Sequence, residues 1–362
     1  MDSKYVIKKP LFTGLQGNNH IQGIVVDEKK GNVYYSFTTK LIKCDFDGNV
    51  IGSICGLYGH LGCITFNENN GKIYGSIEYK HDIIGRDIIE NEGTVMPDYT
   101  DGFYIGIFDV DKITEPDMTV DESDVLTAVY LSEVLDDYEG FGKDSNGNIA
   151  KHKYGCSGID GVTFAPLPRS DSDKKYLYVA YGVYGDTTRD DNDHQILLCY
   201  DTDVIDSFAK PFNQGVMHKN GPEKYGYKFF VYTGNTRYGV QNLCYDKPTD
   251  SIFMAVYSGR KDKFKNYDTF AVDLTKPFVE TKLIGLDETG LSLTLKGCDV
   301  PENADIHGWY SRYGECGLAT RNDGSFYIAE NVNIDNNCAA YICIYDFDSE
   351  KGFIKREGFD WE

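Results

Sequence analysis

Short β-rich runs dominated by hydrophobic residues, separated by polar connectors, follow one another along the whole chain. The first three such runs span residues 23–26, 32–37 and 40–46, and they are separated by Asp27-Glu-Lys-Lys-Gly31 and by Thr38-Thr39. Runs rich in Val, Ile, Tyr and Phe are typical of β-strands, and connectors of this composition are typical of turns. This part of the chain therefore predicts three consecutive antiparallel strands.

The same order of strands returns in later parts of the chain. The predicted second strands superpose at residues 72–78, 176–181, 251–257 and 325–330. The third strands end in a phrase that alternates hydrophobic residues with Asp. Its copies are Cys44-Asp-Phe-Asp47, Phe108-Asp-Val-Asp111, Tyr200-Asp-Thr-Asp203, Val272-Asp-Leu-Thr275 and Tyr345-Asp-Phe-Asp348. Self-similarity at intervals of this size predicts a repeat architecture.

A Tyr-Gly turn that leads into a short apolar strand marks the start of each new unit. It is present at Tyr58-Gly59, Tyr154-Gly155, Tyr238-Gly239 and Tyr313-Gly314. A fifth, degenerate copy at residues 13–24 keeps the glycines but lacks the tyrosine. The sequence therefore predicts five repeats, approximately residues 20–57, 58–153, 154–237, 238–312 and 313–362, the last completed by residues 4–14.

Five β-rich repeats in series predict one all-β domain, a five-bladed β-propeller with four-stranded antiparallel blades. We expect the N-terminal strand, within residues 5–12, to complete the last blade and close the ring, which removes an exposed sheet edge. The widest interval, from Asp109 to Asp201, leaves room for an extra hairpin or a short helix at 124–135. Over essentially the whole chain the pattern resembles the broad β-propeller superfamily, a resemblance that implies a fold and not a function.

Charge and cysteine content narrow the classes of function. A formal net charge of −21 argues against binding to nucleic acid or to an anionic membrane surface, both of which require basic patches. No apolar run approaches the roughly 20 residues of a membrane span, and the first residues lack the apolar core of a signal peptide. We therefore expect a soluble cytoplasmic protein, or a secreted one if a signal has been removed. The 10 cysteines mostly fall inside strand patterns, which predicts buried reduced thiols.

Long connectors point to one face of the predicted ring. The loops between second and third strands include residues 80–101, 182–194, 258–267 and 330–339, whereas most other connectors are tight turns. Long loops in a compact domain are usually functional or disordered, and these loops share one face with the entries to the first strands. The entry segments place His20, Gln22, His60, Asp160, Arg237, Gln241, Arg312 and Glu315 around the channel mouth.

Three interpretations of this mouth compete. Asp160, Glu315, Glu78 and Glu330 offer carboxyl groups for general acid–base or nucleophilic work, as in glycoside hydrolysis. Gln22, Asp160, Gln241 and Glu315 offer oxygen ligands from four blades, a set suited to calcium in the central channel. Alternatively, these polar residues satisfy channel backbone groups and trapped water.

Histidines and arginines add two further alternatives at the mouth. His20, His60 and His152 could bind a transition metal, or could bond neighbouring backbone. Arg237 and Arg312, each directly before a Tyr-Gly pair, could bind a ligand carboxylate or phosphate, or be neutralised by the acidic loops. We expect both arginines to share one concavity with Asp160 and Glu315.

The sequence thus favours a propeller that binds, and as a hydrolase would cleave, a small polar or saccharide-like ligand at the long-loop face. Fold-level likeness to five-bladed carbohydrate hydrolases favours glycoside over phosphoester chemistry. Two alternatives stay open, a non-catalytic ligand- or protein-binding propeller and a calcium-dependent phosphoester hydrolase. Common motifs such as Gly-x-Ser-x-Gly, the phosphate-binding loop and His-Glu-x-x-His are absent from the sequence.

Overall fold

A computed structural model describes residues 5–93 and 100–361. In this part of the chain, five large β-sheets are accompanied by one small hairpin, β11 (Phe141–Lys143) with β12 (Ile149–Lys151). The inner strand of each sheet packs beside the inner strand of the next sheet, and the inner strand of the fifth sheet packs beside that of the first. This closed ring confirms the prediction of a mainly-β, five-bladed propeller.

Blades 1 to 3 are formed by the first two thirds of the chain, and two strands from later in the chain join blade 3. The strands of each blade are given in order from the channel outwards. Blade 1 contains β2 (Ile21–Asp27), β3 (Asn32–Phe37), β4 (Lys40–Asp45), β5 (Val50–Cys55) and β9 (Met118–Thr119). Blade 2 contains β6 (His60–Asn67), β7 (Lys72–Tyr79), β8 (Gly102–Phe108), β10 (Leu126–Tyr130) and β16 (Lys210–Pro211). Blade 3 contains β13 (Cys156–Ala165), β14 (Tyr176–Val183), β15 (His194–Asp201), β17 (Tyr227–Tyr232), β22 (Thr289–Ser292) and β21 (Val279–Lys282).

The last two blades and the helices complete the described chain. Blade 4 contains β18 (Thr236–Asp246), β19 (Ser251–Ser258) and β20 (Thr269–Asp273). Blade 5 contains β23 (Leu318–Thr320), β24 (Ser325–Ile334), β25 (Asn337–Asp348), β1 (Leu11–Phe12) and β26 (Gly352–Lys355). The α-helices are α1 (Ile83–Asn91), α2 (Ser132–Glu139) and α3 (Thr202–Ser207), and short 3-10 helices span Lys153–Gly155, Gln214–Val216 and Gly314–Cys316.

The blades are not uniformly four-stranded, so this part of the prediction is wrong. Blade 4 has three strands within the described residues, and isolated bridges at Leu295 and Trp309 stand in its outer position. The segment that follows β20 instead adds β21 and β22 to blade 3, with β22 parallel to β17. In the same way β9 returns to blade 1 and β16 to blade 2. Each insertion therefore links its own blade to the preceding one.

The N-terminal strand closes the ring, as predicted, but it is shorter than predicted. Leu11 pairs with Ile342 and Phe12 with Tyr341, while residues 5–10 form no strand. The outer position of blade 5 is shared, because β26 pairs with the other end of β25 at Tyr345. Both chain ends thus cover the same edge.

One of the predicted long loops does not exist as a loop. Residues 330–339 continue as β24 and β25, which pair up to Ile334 and Asn337. Asp335 and Asn336 have φ values of 49° and 63°, and two consecutive residues with positive φ make the tight turn typical of hairpins. The connectors at residues 184–193 and 259–268 are loops, and the connector after β7 contains α1. The interval around 124–135 holds both β10 and the start of α2.

Small residues let neighbouring blades approach closely. The hydroxyl of Ser36 in β3 donates to the carbonyl of Gly62 at 2.7 Å, and Ser76 in β7 donates to the carbonyl of Asp160 at 2.6 Å. A Cβ on Gly317 of blade 5 would lie 3.1 Å from Cγ2 of Ile24 in blade 1. Four apolar clusters fill the spaces between successive blades, and all 10 cysteines are free thiols. Within the described residues, no helix is long and apolar enough to cross a membrane.

Candidate functional site

Four inner strands carry a bulge at the same height, close to the mouth of the channel. The register shifts lie between Ile21 and Gly23, Leu61 and Ile64, Ile159 and Val162, and Val240 and Asn242. A bulge places an extra residue in one strand and redirects its side chain. The bulged positions include Gln22, Gly62, Asp160 and Gln241, so three of the sequence-predicted residues occupy equivalent places in the ring.

Asp160 is the most deeply buried acid of this ring. A Cβ on Gly62 would lie 2.1 Å from its Oδ1, so the missing side chain at Gly62 leaves the space that Asp160 fills. Within the described part of the chain, Asp160 Oδ1 has no hydrogen-bond partner. Burial, and then the charge of Glu78, raise the pKa of Asp160 well above its usual range, although Lys80 and Gln241 act against this. Burial therefore favours the protonated form of Asp160.

A buried ion pair lies beside Asp160. Lys80 Nζ is 2.6 Å from Glu78 Oε1 and 3.6 Å from Asp82 Oδ2, and it donates to the carbonyl of Ser157 at 2.8 Å. The backbone N–H of Ile159 donates to Glu78 Oε2 at 3.1 Å. Burial opposes the charged amine, but the carboxylates of Glu78 and Asp82 outweigh it and raise the pKa of Lys80. Sequence reasoning found Glu78 and missed Lys80, which lies two residues later, just beyond the end of β7.

Two histidines adjoin this pair from blades 1 and 2. His60 Nδ1 is 3.6 Å from Glu78 Oε1, and burial, followed by the charges of Lys80 and His20, lowers the pKa of His60 to about 3. Burial also lowers the pKa of His20. The Nε2 atom of His20 lies 3.3 Å from the amide nitrogen of Gln22 and 3.4 Å from the hydroxyl of Tyr257. Both imidazoles are therefore neutral at physiological pH.

Helix α1 lies on the side of the mouth that blades 1 to 3 form, and we call this side the covered half. Its N-cap Asp82 accepts from the backbone N–H of Gly85 and from the hydroxyl of Tyr184, both at 2.9 Å. Just beyond its other end, Glu92 accepts from the hydroxyl of Thr39 at 2.7 Å. The helix thus runs from the blade 3 side to the blade 1 side, along the top of blade 2. The sequence predicted only a long loop in this position.

Glu315 lies in the half of the mouth that α1 leaves uncovered. It belongs to the 3-10 helix Gly314–Cys316, which follows Tyr313 with a φ of 77°. Burial, with a smaller contribution from the charge of Asp268, raises the pKa of Glu315 to about 7, while Arg312 opposes the shift. Burial also raises the pKa of Asp268 to about 6. Asp268 was missed by sequence reasoning, because a single Asp in a polar loop carries no distinguishing pattern.

Tyr257 connects Glu315 with the deeper residues. Burial raises its pKa, and the charges of Glu315 and Asp160 both contribute. Both acids therefore lie within electrostatic range of one phenol, whose hydroxyl lies 3.4 Å from Nε2 of His20. The side-chain amide of Asn242 donates to the carbonyls of Gln22 and Glu315, both at 2.9 Å, and so joins blades 1, 4 and 5 directly below the mouth.

The two arginines lie at the same end of the ring in different surroundings. Arg237 donates through Nε to the carbonyl of Ser258 at 3.1 Å, and its side chain packs against Gly185 of the blade 3 loop. Arg312 is exposed, and its guanidinium lies 4.7 Å from the ring centroid of Tyr313. Neither forms an ion pair with another described residue. Arg312 is thus the arginine with an uncommitted charge next to Glu315.

Glu330 lies apart from this cluster. It accepts hydrogen bonds from the hydroxyl of Tyr345 and from Nε1 of Trp361, and it pairs with Lys355 at 2.7 Å. In the repeat alignment Ala329 is equivalent to Ser76 of blade 2. Glu330 therefore corresponds to the residue directly after Ser76, whereas Glu78 comes two residues after Ser76. Because strand side chains alternate, Glu330 points to the opposite face of its blade. Its contacts hold the C-terminal residues against blade 5.

The expected metal-binding sets have other contacts. Within the residues described, no group of three or more His, Cys, Asp or Glu side chains is placed to hold a metal ion. The amide of Gln22 donates to Thr38, and that of Gln241 donates to the carbonyl of Tyr238. His152 packs between the rings of Tyr138 and Tyr184. Gln22, Gln241 and His152 thus all have contacts within the protein.

The fold and the mouth define the class of protein, a five-bladed β-propeller with a polar, half-covered channel mouth. No family model and no curated protein matches the chain. Solved structures with a similar arrangement include a gluconolactonase from Xanthomonas campestris, at 11% identity and a TM-score of 0.35, over 89% of this chain and 71% of that one. A GH43 β-1,3-galactosidase with galactodeoxynojirimycin aligns at 9% identity and a TM-score of 0.42, over 95% of each chain. The β-propeller domain of Cps50 from Myceliophteria thermophila aligns at 8% identity and a TM-score of 0.36, over 98% of this chain and 91% of that one. At these values the likenesses carry no argument about activity.

Proposed function

We propose that the open half of the mouth binds a small, uncharged, hydroxyl-rich ligand, and that Glu315 acts on it as a general acid or base. The observation that carries this proposal is the carboxyl of Glu315, whose pKa is raised to about 7 by burial. General acid–base catalysis is most efficient when the pKa of the group lies near the working pH. Glu315 therefore has both protonation states available at neutral pH.

A second acid in a different environment supports a hydrolytic role. Burial raises the pKa of Asp160 well above its usual range, and Asp160 and Glu315 both lie within electrostatic range of Tyr257. Two carboxyl groups whose surroundings separate their pKa values can divide the roles of proton donor and proton acceptor. In this arrangement Asp160 favours its protonated form, and Glu315 exchanges its proton with ligand or water.

The chemistry of the mouth favours an uncharged ligand. Asp268 and Glu315 add negative charge as they ionise, which would repel a phosphoester dianion, and no group of described side chains is placed to hold a compensating metal ion. Hydroxyl groups of a ligand would find an acceptor in the neutral imidazole of His20. They would find donors in the hydroxyl of Tyr257 and the guanidinium of Arg312. We therefore favour a glycoside or a related sugar derivative over a phosphoester.

The test measures hydrolysis by the full-length protein of chromogenic glycosides and phosphoesters, with and without EDTA. Glu315→Gln should reduce kcat by about a hundredfold or more, as is typical when a general acid or base is lost. Glu330→Gln is the matched control, because Glu330 holds the C-terminal residues and should affect stability and not kcat. Retention of wild-type kcat by Glu315→Gln would sink the catalytic assignment.

A second function, ligand or protein binding without catalysis, is favoured by the aromatic surroundings of the mouth. Tyr238 and Tyr310 are exposed by 47% and 64%, and the rings of Tyr267 and Tyr310 lie 4.9 Å apart. Exposed tyrosines are typical of binding surfaces, since one end is apolar and the other forms hydrogen bonds. This function predicts no turnover, and a loss of binding in Tyr310→Ala that Glu315→Gln does not share.

A further inference from the structure

We propose that the opposite end of the channel is a second ligand site, which takes a neutral molecule with both hydroxyl groups and apolar faces, such as a mono- or disaccharide. A cavity of about 570 Å³ opens there, between the C-terminal ends of β2, β6, β13, β18 and β23. This volume lies within the range of about 300–1,000 Å³ that is usual for small-molecule sites. The proposal is independent of the activity proposed for the long-loop mouth.

The cavity is a blind cup, because the channel is closed above it. A Cβ on Gly23 would lie 2.8 Å from the backbone nitrogen of Ile64, and a Cβ on Gly161 would lie 3.0 Å from Leu243. The inner strands therefore nearly touch at this height. Above it, Asn242 bridges blades 1, 4 and 5, and Asp160 fills the space next to Gly62. A ligand in the cup would not reach Glu315.

The wall of the cup supplies backbone hydrogen-bonding groups. In every blade the strand that faces the channel is the terminal strand of its sheet, so its channel-facing backbone edge has no partner strand among the described residues. Such an edge presents N–H and C=O groups in alternation. Some of these N–H groups donate to a side chain of the neighbouring blade, as Tyr245 does to Thr163 Oγ1 at 3.2 Å and Thr320 to Cys244 Sγ at 3.0 Å. The other groups of the five edges can bond the hydroxyl groups of a ligand.

Side chains make the wall amphipathic. Thr65, Asn67 and Asn322 contribute hydroxyl and amide groups, and Phe66, Phe164 and Tyr245 contribute aromatic surface to the same cavity. Apolar surface favours the C–H face of a sugar ring, and the polar groups favour its hydroxyls, a division that is common in small-molecule sites. A purely apolar ligand would leave the edge backbone groups unbonded, at a cost in free energy.

The charges around the cup balance. Lys175 and Lys247 line it together with Glu68 and Asp173, and Lys175 Nζ lies 3.6 Å from Glu68 Oε2. In a chain with a formal net charge of −21, a site with two cations and two anions is locally neutral. It therefore gives no advantage to an anionic or a cationic ligand.

The test titrates the full-length protein with glucose, galactose, maltose and lactose by calorimetry, with gluconate and glucosamine as charged analogues. Thr65→Trp and Ala319→Trp, which place a large ring in the cup from blades 2 and 5, should weaken binding of a neutral sugar by about tenfold or more. Val279→Trp, at an exposed position of blade 3, should bind as the wild type does. Hydrogen exchange should show sugar-dependent protection at residues 243–247 and 318–322, which include residues that line the cup.

Three results would overturn the proposal. They are the absence of binding by all four neutral sugars, equal affinity in the cup-filling variants, and tighter binding of a charged analogue than of its neutral parent. If a tryptophan variant does not fold, the location of exchange protection in the wild type decides. Sugar-dependent protection at residues 312–315 without protection at residues 243–247 and 318–322 would assign the sugar to the long-loop mouth and refute the cup.

Discussion

Replacing Glu315 by Gln should change how the stability of the protein depends on pH. Burial raises the pKa of this carboxyl from 4.5 to about 7 in the folded state. Between these values the folded state keeps a proton that the unfolded state has already released. Stability must therefore fall as pH rises through this window and level off above about pH 7, since the folded state then binds no extra proton. Glutamine carries no titrating proton and removes this dependence.

The size of this change in stability follows from the pKa shift of Glu315. Each pKa unit corresponds to about 1.4 kcal/mol, so the wild type loses at most about 3 kcal/mol from this group between about pH 4.5 and pH 7. The free energy of unfolding of Glu315→Gln, relative to wild type, should rise by the same amount over that range. Near pH 4.5 the two proteins should differ little, because the wild-type carboxyl is then largely protonated in both states.

Urea unfolding at about pH 5, 6, 7 and 8 measures this difference directly, with equal m-values as the check on two-state behaviour. Glu223→Gln, at an exposed position, is the matched control and should run parallel to wild type throughout. Parallel curves for Glu315→Gln and wild type would show that the carboxyl titrates normally. That result would remove the basis of the acid–base assignment as well.

Three further predictions concern the buried ion pair, the closure of the ring and the state of the cysteines. Lys80→Met should cost about 3–5 kcal/mol in urea unfolding, because it leaves the carboxylate of Glu78 buried without its partner, and the double variant with Glu78→Gln should recover most of that loss. Deletion of residues 1–12 removes buried Ile7 and Leu11 and the strand pairing to β25, so it should destabilise the fold by about 3–6 kcal/mol; an unchanged melting temperature would contradict ring closure. Thiol alkylation without reductant, followed by mass measurement, should label Cys55, which is half-buried, in the native protein and the other nine only after unfolding, whereas paired cysteines would resist labelling throughout.

The strands that repeat were predictable because their signal is local. The second strand predicted at residues 72–78 is β7 (Lys72–Tyr79), and that at 251–257 is β19 (Ser251–Ser258). Alternation, β-branched residues and turn chemistry act over a few neighbours and are therefore visible in a single sequence. Ring closure was predictable for the same reason, since a repeat that lacks its last strand requires one from elsewhere.

The added strands were not predictable, because nothing local specifies them. β9 and β16 are two residues long, and their pairing partners in blades 1 and 2 lie far away along the chain. Such pairing depends on the completed ring and not on residue type. The same limit applies to the position of α1, whose N-cap Asp82 accepts a hydrogen bond from Tyr184 of the blade 3 loop, far away along the chain.

The candidate site was predictable in its positions but not in its contacts. Repeat alignment places Gln22, Asp160 and Gln241 at one height, and the bulges lie at these residues. Repeat alignment cannot reveal that Lys80 neutralises Glu78, because only the packing of the blades shows which face of a strand is buried. For Glu330, a difference of one residue in register reverses the direction of the side chain.

The chemistry of this propeller is concentrated where the repeat is broken. At the bulge height, a uniform ring would carry equivalent polar residues in all five blades, as Gln22 and Gln241 nearly do. Blade 2 instead has Gly62, and the space it leaves admits the acid of blade 3 into a deeply buried position. Blade 5 replaces the bulge with a 3-10 turn, which brings Glu315 to the mouth one residue earlier than the repeat would. Two acids with different surroundings thus arise from two departures from one symmetric frame. Restoring the symmetry at Gly62 with any larger residue should expel Asp160, since its Oδ1 already occupies the position of the added Cβ.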